Sequence, residues 1–96
     1  YLVTADEIDN PQNLSIKTTI NGKVMQNSNT DDMIFSLKEI ISKLSEYMVL
    51  RTGDIIITGT PERVGVGIKP KPMFLRSGDT VEVEVEGLGC QKMKAI

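Results

Sequence analysis

Histidine and tryptophan are absent from these 96 residues, and Cys90 is the only cysteine. Without histidine the chain holds no Ser-His-Asp triad, no Cys-His dyad and none of the usual zinc sites. One cysteine permits no internal disulfide, and the simplest setting for such a chain is a reducing cytoplasm. No apolar run approaches the roughly 20 residues that span a bilayer. The opening Tyr1-Leu2-Val3-Thr4 soon meets Asp6 and Glu7, so no secretory leader is visible, and the sequence is expected to be cytoplasmic. There is also no initiator methionine, which fits a chain cut from something longer. The net charge is −2, with both signs mixed along the sequence. Neither a basic patch for nucleic acid nor a basic amphipathic helix for a membrane surface is present. Any chemistry must therefore use carboxylates, lysines, hydroxyls or the backbone.

What is present reads as mainly β (α+β), a mixed roll or sandwich with one packed helix. If compact, a chain of this size would bury roughly 60–65% of its extended surface. Residues 14–20 alternate, with Leu14, Ile16 and Thr18 on one face and Ser15, Lys17 and Thr19 on the other. Asn21-Gly22 follows at once and predicts a type I′ hairpin, with residues 23–26 as the returning strand. Asn27 to Asp32 is rich in helix-capping residues. Asn29, Thr30 or Asp31 is the expected N-cap of a helix over about 32–47. Its apolar stripe would be Met33, Leu37, Ile40, Leu44 and Tyr47. Phe35 falls off that stripe and is a candidate contact with a second subunit.

Leu50-Arg51-Thr52-Gly53-Asp54 recurs as Leu75-Arg76-Ser77-Gly78-Asp79. Each copy predicts the same turn leading into a strand. After the first come Ile55, Ile56 and Ile57, a β-branched run without alternation that suits a strand covered on both faces. After the second, Val81, Val83 and Val85 alternate with Glu82, Glu84 and Glu86, a strand with one wet face. A last strand is expected over 91–96, and a long ordered loop over 62–73.

Thr58-Gly59-Thr60-Pro61 closes the isoleucine run. Gly59 carries no Cβ, and Pro61 lacks an N–H and favours an extended Thr60. A hydroxyl and bare amides at a strand end suit a carboxylate or an enolate oxygen.

Thr58-Gly59-Thr60-Pro61 with Val64-Gly65 resembles the threonine-glycine-threonine-proline loop of the fumarylacetoacetate hydrolase family. Three further segments follow that family's order: Asn21-Gly22 to Gln26, Asp32 to Ser36, and Phe74 to Gly89. The resemblance implies that residues 1–96 are the C-terminal portion of a catalytic domain. Members act on small keto/enol acids by carbon–carbon hydrolysis, decarboxylation or isomerisation, and form homodimers. They use one Mg²⁺, Mn²⁺ or Ca²⁺ as a Lewis acid. Carried over by position, Gly59 and Thr60 would bind the substrate's acid end, with Gln26 as a further site-facing amide. The family's metal-binding acidic residues and its lysine have no counterparts here, so the resemblance places no catalytic residue and no metal ligand in this chain. Arg63 stands where the family usually has glycine, and Met93 where a polar amide residue is commoner. The alternative is a truncated, non-catalytic module for dimerisation or small-acid binding.

Overall fold

A computed structural model describes residues 2–96; Tyr1, at the head of the opening apolar run, lies outside them. Four antiparallel strands form one sheet: β1 (Ser15–Ile20), β2 (Lys23–Asn29), β3 (Thr80–Val85) and β4 (Gly89–Lys94), in the order β2-β1-β3-β4. One helix, α1 (Leu37–Tyr47), lies between β2 and β3 in the chain. The mainly β reading with a single helix therefore holds.

The β1–β2 turn is as the sequence predicts. Asn21 and Gly22 have φ of 51° and 78°, the two positive angles a type I′ turn requires. The Asn21 side chain also clamps the entry of β3. Its Nδ2 donates to Asp79 Oδ1 at 2.8 Å, and its Oδ1 accepts from the Thr80 N–H at 2.9 Å. The Asn21 amide, and then the Arg76 N–H, hold the Asp79 carboxyl below the usual range.

β2 runs to Asn29, three residues past its expected end, and it carries a bulge. Thr18 pairs with Gln26 but Thr19 with Val24, so Met25 is the extra residue. Met25 is also the one buried apolar side chain among the described residues, 6% exposed. The bulge resets the alternation. Gln26 consequently shares the face of Thr18 and Val83, the apolar face that also carries Ile16, Val81 and Val85.

The repeated turn is one structure built twice. Asp54 N–H donates to Arg51 O at 3.1 Å, and Asp79 N–H to Arg76 O at 3.0 Å. In each copy the aspartate carboxylate accepts the arginine N–H at 2.7 Å. Gly53 and Gly78 have φ of 95° and 94°, as the third position of a type II turn demands.

Two expectations are corrected. The helix begins at Leu37 rather than near residue 32, because Ser36 is its N-cap. Ser36 Oγ accepts from the Glu39 N–H at 3.2 Å, and Glu39 Oε2 accepts from the Ser36 N–H at 2.7 Å, a complete capping box. Asn29 caps instead a single 3-10 turn, Thr30–Asp32. Gln12, from the opening loop, ties this region together: its Nε2 donates to Thr30 O, and its Oε1 accepts from the Leu37 N–H. Leu37, Ile40 and Leu44 are half-buried, whereas Tyr47 at the end of the expected stripe is exposed.

The second correction concerns the isoleucine run. Residues 55–57 pair with no strand among the described residues, and Ile55 and Ile57 are 88% and 91% exposed. The run is apolar enough for a doubly covered strand, but among the described residues no strand offers it a ladder of hydrogen bonds. The 62–73 loop is ordered by its own hydrogen bonds: Gly67 N–H donates to Val64 O, and Met73 N–H to Gly65 O, both at 2.8 Å. A Cβ on Gly65 would strike the Met73 carbonyl, so glycine is required there.

Candidate functional site

Three remote pieces meet at one place. Residues 58–62 line a groove of about 710 Å³ together with Ser28, Asn29, Asp32, Met33 and Phe35. Gly59 adopts φ of 97°, and a Cβ there would meet nothing within 4 Å. Glycine is thus needed at this position for its backbone angle, and the space above it is open to another molecule. Thr60 follows, exposed on the groove.

Gln26 reaches this loop from β2. Its Nε2 lies 3.1 Å from Thr60 Oγ1, 2.9 Å from Pro61 O and 3.1 Å from Glu62 O. The three sequence-named residues, Gln26, Gly59 and Thr60, are therefore together. Thr60 and Gly59 present open surface, while the Gln26 amide nitrogen faces the loop. The carbonyls of Pro61 and Glu62 were not legible in the sequence as its partners. No local pattern announces a contact across 35 residues, and the bulge that aims Gln26 had no sequence signal beyond the hairpin.

Of the two carboxylates that line the groove, Asp32 and Glu62, the first is committed elsewhere. Asp32 Oδ2 accepts from Ser28 Oγ at 2.6 Å and from the Asn29 N–H at 3.4 Å. The Ser28 hydroxyl first, and the Asn29 N–H second, keep the carboxyl below its ordinary range. It therefore stays ionised as a cap to the 3-10 turn. On β3, Glu82 forms an ion pair with Lys92 across the strand pair, and Glu86 Oε2 accepts from the Ser15 N–H at 3.0 Å. Among the described residues no three histidine, cysteine, aspartate or glutamate side chains gather where a metal ion could sit. The residues present do not fit a divalent cation by themselves.

A hydroxyl and open main chain at a groove can offer hydrogen bonds to carboxylate or enolate oxygens, with the Glu62 side chain lining the same groove.

Comparison with known proteins bears on this geometry. The model of a family described as fumarylacetoacetate (FAA) hydrolase, C-terminal, matches residues 1–95. Over 94 residues the chain is 46% identical to 2,4-didehydro-3-deoxy-L-rhamnonate hydrolase of a Sphingomonas species, covering 98% of this chain and 33% of that protein. Among solved structures, a fumarylacetoacetate hydrolase from Exiguobacterium antarcticum gives a TM-score of 0.88 at 38% identity, over 97% of this chain and 33% of that one. Maleylpyruvate hydrolase from Sphingobium sp. SYK-6, in complex with manganese(II) ion and pyruvate, gives 0.85 at 32% identity, over 99% and 33%. The chain spans about a third of the length of the curated relatives it matches.

Proposed function

The chain belongs to the fumarylacetoacetate hydrolase family, and from that premise we propose that it supplies the acid-binding loop of an enzyme acting on small keto/enol acids. The reaction would be carbon–carbon hydrolysis, decarboxylation or isomerisation. Its relatives include hydrolases, one of them solved with pyruvate, itself a small 2-oxo acid. Thr60 and Gly59 would receive the carboxylate or the keto oxygen. The observation that carries the reading is the position of Thr60: exposed on a groove, after an open glycine, with Gln26 as its side-chain partner.

Two further parts of the proposal reach beyond these residues. The divalent cation expected of the family, Mg²⁺, Mn²⁺ or Ca²⁺, would take its ligands from polypeptide other than residues 2–96. The role given to Thr60 does not pass through it. The assembly would be a homodimer; the exposure of Phe35 (63%) and Ile34 (92%) beside the groove supports a contact there.

The test is Thr60→Val in the full-length gene product, because valine keeps the shape and removes the hydroxyl. Loss of one hydrogen bond to a charged acid amounts to about 1–3 kcal/mol, or roughly 5- to 150-fold in kcat/KM. Unchanged kinetics would remove the hydroxyl from substrate binding.

A further inference from the structure

We propose that Gln26 is a positioning residue that donates to the Thr60 hydroxyl oxygen, leaving the hydroxyl proton free to be donated to an acid oxygen. The inference rests on the acid-binding reading of Thr60 and deepens it.

Carbonyl oxygens only accept hydrogen bonds, and two of them, Pro61 O and Glu62 O, lie 2.9 and 3.1 Å from one end of the Gln26 amide. That end must be the nitrogen. Its two protons serve three acceptors, the third being Thr60 Oγ1 at 3.1 Å, so one proton is shared between two of them. A threonine hydroxyl has one proton to give and two lone pairs to receive with. Here a lone pair is taken by Gln26, and the amide cannot accept in return at that end. No acceptor for the Thr60 proton occurs among the described residues, so in the free protein water receives it. A carboxylate, keto or enolate oxygen would replace that water as the acceptor of the Thr60 proton. Gln26 thus holds the Thr60 oxygen and leaves its proton available without touching the ligand.

The fold supports this division of labour. Gln26 sits on a paired strand next to the bulge, held by β1, whereas Thr60 sits in a segment with no strand partner among the described residues. The amide links a fixed element to an unpaired one at three points. Without the bulge Gln26 would point to the sheet's other face, away from the loop.

The test is a double-mutant cycle in the manganese-loaded full-length gene product, with pyruvate as the probe and calorimetric titration as the readout. Thr60→Val and Gln26→Met are made singly and together. Thr60→Val is expected to weaken pyruvate binding about tenfold and Gln26→Met about fivefold, the double variant staying within about twofold of Thr60→Val alone. This non-additivity is the signature, because a residue that merely braces the loop through Pro61 and Glu62 would weaken the valine background by its full factor. An additive cycle, or a Gln26→Met variant with wild-type affinity, overturns the inference while the Thr60 reading stands. A Thr60→Val variant with wild-type affinity overturns both. Should the methionine variant not fold, Gln26→Leu, uncharged and without a donor, takes its place in the same cycle with the same criteria.

Discussion

Arg63 adopts φ of 69°, a left-handed conformation that favours glycine, three residues after Thr60. A side chain costs about 1–2 kcal/mol there, from the contact between Cβ and the carbonyl oxygen. The resemblance had marked this position as one where glycine is usual, and the backbone now gives the reason. Arg63→Gly is expected to stabilise the full-length gene product by about 1 kcal/mol, part of the gain being offset by glycine's greater freedom when unfolded. Urea denaturation would read this as a higher midpoint at unchanged slope; a lower midpoint would mean that the arginine side chain offsets the strain through contacts of its own. Gly59 differs in kind. Its angle also requires glycine, but the space above it is open rather than filled, which is what a position beside a bound molecule needs.

At the level of elements, local sequence specified geometry wherever the bonds that hold it are local. The Asn21-Gly22 hairpin and the two arginine-to-aspartate turns formed as expected, since the pairing that closes each of them spans only three residues. The helix start is a more instructive case. Six capping residues in a row, 27–32, drew the expected N-terminus too early, while Ser36-Leu37-Lys38-Glu39 already carried the capping-box pattern. Ser36→Ala removes the side-chain acceptor for the Glu39 N–H and should cost about 1 kcal/mol. The accompanying measurement is amide hydrogen exchange, with faster exchange expected in the first turn of α1. Protection equal to wild type would assign the helix start to packing rather than to the cap.

At the scale of the whole molecule, the described fold is more open than its length suggests. It exposes 8049 Å², against about 5,500 Å² for a compact monomer of this mass, so only about half of the extended-chain surface is covered rather than 60–65%. The radius of gyration is 15.6 Å, where about 12.5 Å is usual for 96 residues. The excess includes Ile55 and Ile57, the bare face of an apolar run whose middle residue, Ile56, is 36% exposed. In the full-length gene product we expect other polypeptide to cover that run. Ile57→Ala should then cost about 2–5 kcal/mol in chemical denaturation, the range of a core truncation. A change within about 0.5 kcal/mol, the usual range for surface positions, would show that the run stays in water.

Sequence alone determined the turns, the alternating faces of β1 and β3, the single helix and the loop that carries Thr60, because short-range hydrogen bonds and side-chain periodicity define them. Only the tertiary structure decided that Gln26 turns its amide onto that loop. That contact depends on one extra residue in β2 and joins positions 34 to 36 apart, a distance over which no local preference acts. The same division applies to Ile55–Ile57: composition made the run suited to a strand, but a strand exists only where a neighbour offers it hydrogen bonds.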